Sequence, residues 1–421
     1  MCLTAVCQAL CCFGSSLCNC CCTGLNKCGI KSKAFPKVAY VVIDFLTMFM
    51  AFLTMYIFHP WAKDSDWLEC NDSSGGGHQC FGTAAVIRAS FVLFIFHILI
   101  LLMLIPRGDC SSAIHDGFFT CKFLVIFAGW IASFWIHNDF FIGWANFCRG
   151  GSIIYLFMQS YFLLNHAYLW NDKLVKEMES GAESCYAGFL LCGFSIILAI
   201  ISMAWIGLQI YWFHGCTIGI ITIVVTILFF IFYFVVALLP LCDVVIFRKN
   251  ATIFVVGIST IYVTYLSWTA LASHPDKECN AMIDSGWNTT LQILVGAGFT
   301  FANIWSIAIA SAENNAGKEK ETMGQAIIEE DEEVANVGDE KAALFVVTFQ
   351  TMFFQGVMVL VSLYFGMLWT NWGHAVIDNE VDNFAENAHF SVWAKLVTQY
   401  LTIILFTISV TLTVCCTDRI I

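Results

Sequence analysis

Ten stretches of this chain are apolar for roughly twenty residues, the length a helix needs to cross the ~30 Å hydrocarbon core of a bilayer. They lie near 38–58, 84–105, 118–136, 150–170, 184–206, 217–239, 251–272, 290–311, 343–369 and 393–416. Backbone in lipid has to satisfy its own N–H and C=O groups, so segments of this kind read as helices. The expected fold is an all-α polytopic membrane protein. Composition agrees: of 421 residues 59% are apolar and only 12% charged, about half the charged fraction of a soluble domain. The 39 Phe, 14 Trp and 12 Tyr carry more apolar area than one water-soluble core can hide. A net charge of −12 leaves no basic patch for nucleic acid.

One stretch differs from the others. Residues 150–181 start with a glycine pair, stay apolar from Ser152 to Trp170, and then carry Asp172, Lys173, Lys176, Glu177 and Glu179 before Gly181. No proline interrupts them. The pattern predicts one helix opened by Gly150-Gly151 and closed by Gly181. At ~1.5 Å per residue it is roughly 43 Å long, more than a bilayer core. Such a helix leans, runs on into water, or does both. It reads as a strut with helices packed on either side, and the Phe- and Trp-rich connection before it (137–149) reads as lying at the interface.

Lys and Arg in the connections set the orientation. Lys27, Lys31, Lys33, Lys37, Arg107, Lys173, Lys176, Arg248, Lys249, Lys318, Lys320, Lys341 and Arg419 fall on one side, against Lys63, Arg149 and Lys277 on the other. That asymmetry predicts both termini in the cytosol. Cys70, Cys80, Cys148, Cys216 and Cys279 then lie in non-cytosolic connections, where an oxidising environment favours disulfides. Cys70–Cys80 and Cys216–Cys279 are the expected pairs, against the alternative that all five stay free. The sequons at Asn71 and Asn288 fall on the same outer side and are the glycosylation candidates. On the cytosolic side, Cys11, Cys12, Cys20, Cys21 and Cys22 are candidates for reversible acylation. Packing and metal binding are the alternatives there, but no histidine accompanies these cysteines and their spacing is not two separated pairs. Residues 312–342 are acidic and nearly free of aromatics and read as a flexible cytosolic loop. The chain thus divides into a cytosolic Cys-rich segment (1–37), helices 1–3 (38–149), the crossing helix (150–181), helices 5–8 (184–311), the acidic loop (312–342), and helices 9–10 with a short tail (343–421).

Polar residues at membrane depth are expensive unless they face a cavity or a partner. Asp44, His97, Lys122, Asn165, His166, Gln209, Ser267, Thr269, Asn303, Gln350 and Gln355 are of this kind. Each has a plain alternative. Lys122 and Asp44 can reach the interface; Asn303, Gln350 and Gln355 can be interhelical hydrogen bonds; His97 can be a bonded packing residue. Asn165-His166 stands out because it lies on the strut. Catalytic motifs are lacking: no G-x-S-x-G, HExxH, P-loop or dinucleotide fingerprint occurs, and no cofactor or metal is implied. A secondary transporter would place its site on Gly- or Pro-broken helices, yet the chain has five prolines, and Pro240 sits at a helix end.

Several segments resemble the serine incorporator family. Ile114-His115-Asp116-Gly117-Phe118-Phe119 with Lys122-Phe123 is similar to its HNGFWxxK segment. Trp170-Asn171-Asp172 with Met178-Glu179-Ser180-Gly181 resembles WNE…KMEEG. Tyr265-Leu266-Ser267-Trp268-Thr269-Ala270, Pro275 and Cys279-Asn280 resemble YLTWSAM…EP…CN. Ser362-Leu363-Tyr364 with Thr370-Asn371-Trp372 and Trp393-Ala394-Lys395 complete the series. Two departures stand out. Asn165 and Tyr168 occupy the positions of the family's intramembrane acidic residue and histidine, and Lys176-Glu177 reverse the usual charge order. The resemblance implies two bundles joined by the crossing helix, a homo-oligomer, and phospholipid scrambling with a role in serine-derived lipids. The alternatives are a carrier of serine or another small solute, or a scaffold for phosphatidylserine and sphingolipid synthesis. Membrane phospholipids are the expected partners, with Asn165, His166, Tyr168, Lys122 and Trp268 as lipid-groove candidates. Plasma or secretory-pathway membranes are the expected location.

Overall fold

In this computed structural model the described residues are 35–57, 77–105, 114–180, 184–238, 252–282, 286–328, 336–372 and 382–416. They form ten α-helices: α1 (Phe35–Ile57), α2 (Gly77–Leu104), α3 (Phe119–Ala132), α4 (Asn138–Ser180) and α5 (Ser184–Phe213), then α6 (Thr217–Leu238), α7 (Ile253–Leu271), α8 (Gly286–Ile328), α9 (Asn336–Trp369) and α10 (Asp382–Cys416). A 3₁₀ turn, Ser133–Trp135, ends α3. Eight segments are long and apolar enough to cross a membrane; they lie in α1, α2 and α5 to α10. The protein is an all-α, multi-pass membrane protein.

Four expectations change. The third apolar stretch, read as 118–136, is a helix of only 14 residues, started by Phe118 in the left-handed region (φ 59°) and ended by an extended Ile136. The long helix starts at Asn138, not Gly150, so 137–149 is largely helical and not a separate interfacial connection. Its first turn carries Asp139, which suits the positive end of the helix dipole. With 43 residues α4 is about 65 Å long. Gly150 and Gly151 lie inside it. A Cβ on Gly151 would sit 2.3 Å from Leu363 Cδ1, so that glycine serves helix packing, not helix initiation. Finally, 312–328 and 336–342 are helical parts of α8 and α9 and not a loop. Ala, Lys, Glu, Gln and Met dominate 316–326, and such helix formers extend a helix by their own propensity.

The chain forms two compact units, residues 1–152 with 296–379, and residues 153–295 with 380–421. In the first unit α2 is central and packs on α1, α3 and α9. Ala84, Ala85, Ala89 and Ser90 are buried on it, and Gly366 of α9 comes so close that a Cβ would lie 2.8 Å from Ser90 Oγ. In the second unit α7 is central, with α5, α6 and α10 around it and 16 of its 19 residues buried. Between helices in lipid, close van der Waals fit and hydrogen bonds supply what the hydrophobic effect supplies in water. The ring cluster Phe229, Tyr233 and Phe406, with centroids 4.6–5.6 Å apart, is such a contact between α6 and α10.

Candidate functional site

Within the second unit, α4 has two unlike faces. Tyr155, Leu156, Gln159, Ser160, Ala167, Tyr168 and Asn171 are buried. Ser160 Oγ accepts from Thr402 Oγ1 (2.8 Å), Tyr168 shares a 3.1 Å hydrogen bond with Ser409, and Asn171 Oδ1 accepts from Thr252 Oγ1 (2.6 Å). These bonds fix the rotation of α4 against α10 and the start of α7. The other face presents Phe157, Tyr161, Asn165, Leu169 and Lys173, all exposed and four residues apart, so they share one stripe. Tyr161 is 55% exposed. The stripe runs out into a groove of about 400 Å³ lined by Leu169, Asp172, Lys173, Lys176 and Glu177. Chemically it is a graded track: ammonium groups at one end, then an amide, then a phenol, on an otherwise apolar helix. His166 lies beside it, half-buried, with Nδ1 2.7 Å from Phe162 O. A carbonyl only accepts, so Nδ1 carries the proton.

The other groove candidates are elsewhere. Tyr168 is on the anchoring face. Trp268 is buried, with its ring 4.9 Å from Trp205 in an edge-to-face contact. Lys122 belongs to the first unit and does not snorkel: it is buried and donates to Tyr40 Oη and His115 O, both at 2.7 Å. Its ammonium also lies over the Phe119 and Tyr40 rings. None of the three can meet a lipid where it stands.

Cys216 and Cys279 form a disulfide, with Cα atoms 5.0 Å apart, tying the α5–α6 turn to the segment after α7. Gly215 makes that approach feasible, because a Cβ there would collide with Glu278 O. Cys148, expected in an outer connection, is a buried thiol in α4 beside Ser90. Asn288 does not suit glycosylation: it is 2% exposed in the first turn of α8, out of reach of a transferase. The Cys70–Cys80 pairing, Asn71, the acylation candidates Cys11, Cys12, Cys20, Cys21 and Cys22, and Gly181 lie outside the described residues.

Sequence reasoning passed over Arg88. It is fully buried in α2, bonded to Ser133 O (3.2 Å), Ile136 O (3.1 Å) and Asn138 Oδ1 (2.6 Å), with Phe141 4.2 Å beneath the guanidinium. It gathers the carbonyls freed where α3 ends and α4 begins. A lone arginine inside an apolar run was the available signal. Tyr161 gave no signal, and Lys173 and Lys176 were read as topology and as the charged end of the helix, not as groups that meet a ligand.

The matched family model is Serine incorporator (Serinc), over residues 10–419. The chain belongs to the serine incorporator family. It is 26% identical to a probable serine incorporator of Dictyostelium discoideum over 351 residues, covering 82% of each chain. To a probable serine incorporator of Monosiga brevicollis it is 22% identical over 475 residues, covering 97% of this chain and 95% of the relative. Membrane protein TMS1 of Saccharomyces cerevisiae is 25% identical over 279 residues, 63% of this chain and 58% of that protein. In this serine incorporator the segments that carry the resemblance have structural work to do. His115 and Lys122 clasp each other across the turn before α3. Asn280 Nδ2 donates to Ala272 O and His274 O, holding the end of α7 beside the disulfide. Asn371 and Trp372 take positive φ (47° and 62°) to stop α9. Lys395 Nζ, buried in α10, donates to Thr269 O and Ser273 Oγ of the α7 end.

Proposed function

We propose that the protein scrambles phospholipids between leaflets, without catalysing a covalent step. The observation that supports this reading is the exposed stripe on α4. Moving a lipid across a bilayer is slow because the headgroup has to leave water, so a scramblase lowers that cost with polar groups along a lipid-facing surface. Lys173 and Lys176 attract phosphate; Asn165 and Tyr161, two and three turns deeper, offer uncharged hydrogen-bond partners with no preference for one headgroup. In this reading the lipid tails stay in hydrocarbon while the headgroup follows the helix surface. In this reading both termini lie in the cytosol, as the Lys and Arg asymmetry favours, and the protein resides in plasma or secretory-pathway membranes. Further copies of the chain and enzymes of serine-derived lipid synthesis are its partners there.

A second reading, a carrier for serine or a similar small solute, draws on the relatives' printed names and on one feature. Inside the second unit Gln399 Nε2 donates to Thr226 Oγ1 (2.8 Å), while Gln159 Oε1, Gln399 Oε1, Thr222 Oγ1 and Thr260 Oγ1 are buried without a hydrogen-bond partner. Unpartnered buried polar atoms suit a small polar guest.

Reconstitution separates the two. Liposomes with headgroup-labelled lipid and the purified protein are treated with an impermeant reductant. Bleaching well beyond the outer-leaflet half is expected for several headgroups. Bleaching that stalls at half, with the protein shown to be inserted, contradicts scrambling, and uptake of labelled serine by the same vesicles would then favour the carrier.

A further inference from the structure

The first unit contains a chain of hydrogen bonds that scrambling does not use. Asp44 Oδ2 lies 2.8 Å from His97 Nε2, and His97 Nδ1 lies 2.9 Å from Gln355 Oε1. Gln355 Nε2 lies 3.2 Å from His115 Nε2, and His115 Nδ1 lies 2.7 Å from Asp116 Oδ1. Asp44 and His97 are fully buried, while the Asp116 side chain is 55% exposed. Four elements contribute: α1, α2, α9 and the turn before α3.

Hydrogen-bond chemistry fixes the protons along this chain from the exposed end inward. Asp116 Oδ1, on an exposed side chain 2.7 Å from His115 Nδ1, is the acceptor of that contact. His115 Nδ1 therefore carries a proton. Burial holds the His115 imidazole below its usual value, Lys122 and Lys37 push it the same way, and Asp116 opposes them. A neutral His115 leaves Nε2 as an acceptor, so the Gln355 amide turns its nitrogen to it. Gln355 Oε1 then accepts from His97 Nδ1–H. At the far end, His97 Nε2 and Asp44 Oδ2 stand 2.8 Å apart. Two lone pairs at that distance repel unless one more proton lies between them. Asp44 Oδ1, buried as well, has no hydrogen-bond partner, so an ionised Asp44 beside a neutral His97 would be an uncompensated buried charge.

We infer that Asp44 and His97 form a buried proton-binding site, holding one shared proton and linked through Gln355 to His115 and the exposed Asp116. The ligand is a proton, placed either as carboxylic acid to imidazole or as carboxylate to imidazolium. The other titratable groups around it are Lys37 and Tyr40 on α1 and Lys122 on α3. Tyr40 donates to His115 O and accepts from Lys122, so that ammonium is committed beside His115 and not at the pair. Gln355 makes the two ends exclusive. If His115 takes a second proton, on Nε2, the Gln355 amide has to turn its oxygen outward and its nitrogen toward His97 Nδ1. His97 then keeps a single proton on Nε2, donated to ionised Asp44. The count balances at three protons in both arrangements: one on His115 and two on the pair, or two on His115 and one on the pair.

Infrared difference spectroscopy of the full chain in lipid nanodiscs tests this. At neutral pH, wild type minus Asp44→Asn is expected to contain either a carboxylic-acid C=O stretch or an imidazolium ring mode. A difference showing only ionised carboxylate, with neither mode, overturns the site. Because both arrangements hold three protons, acidification does not exchange one for the other, so that mode is expected to persist in wild type, while Gln355→Leu, which frees His115 Nε2, is expected to gain an added imidazolium mode as the pH falls below about 6.5. A wild-type mode lost on mild acidification, or a Gln355→Leu chain that gains no added mode, overturns the link to His115. Should Asp44→Asn not fold, the wild-type titration decides alone, and His97→Gln supplies the reference spectrum.

Discussion

His274 shows how much a single side chain in this fold depends on distant partners. It caps the segment after α7: its Nδ1 accepts the Asp276 N–H (3.2 Å), and its ring meets that of His389 edge-on at 5.5 Å. Burial holds its imidazole below the usual value, the neighbouring His389 adds to the effect, and Asp276 opposes it. A folded-state value below the unfolded one means the neutral form is the one folding favours. The stability it contributes is full above the unfolded value of about 6.5 and is lost as pH falls through the folded value. Thermal unfolding of wild type and His274→Gln should therefore diverge on acidification, wild type losing more; parallel profiles would contradict this assignment. At this scale the sequence was legible in part. Asp44, His97, Lys122 and Gln355 stand out in it as polar residues at membrane depth. Which of them pair with one another does not, because the bonds join residues 53 to 258 positions apart. The interfacial alternative for Asp44 and Lys122 fails because both are held inside the first unit, Asp44 by His97 and Lys122 by Tyr40 Oη and His115 O.

At the scale of elements, apolar length located the helices and composition misplaced their ends. Polar flanks such as 312–328 stayed helical because helix formers need no bilayer to continue. Aromatic-rich 138–149 joined α4, with Asp139 at the positive end of the helix dipole and Arg88 donating to Asn138 Oδ1 at its start. The glycine pair at 150–151 looked like a helix start when read alone. In the fold, Gly151 of α4 lets Leu363 of α9 pack against it. Gly151→Ala should destabilise the first unit by about 1–3 kcal/mol, the usual effect of overpacking. Leu363→Ala in the same chain should recover much of that loss. Measured unfolding of the two variants and their double mutant checks it, and equal stability of wild type and Gly151→Ala would show that the contact yields freely. The α4 stripe was the less legible part of the site. Asn165 and His166 are visible as polar residues in an apolar run, but whether Asn165 or Tyr168 faces outward depends on which side α10 covers.

For the whole molecule, the all-α multi-pass architecture of the described residues agrees with family membership, which the Serinc model shows over residues 10–419. The proposed scrambling rests on one physical statement, that a polar stripe on the exposed face of α4 lowers the barrier for headgroups. The direct measurement is the lipid exchange rate of Asn165→Leu/His166→Leu chains in labelled liposomes, set against wild type at equal protein density. A fall of roughly tenfold, equivalent to about 1.4 kcal/mol on the barrier, is the predicted result. Exchange at the wild-type rate by a double variant shown to be inserted and folded would contradict it.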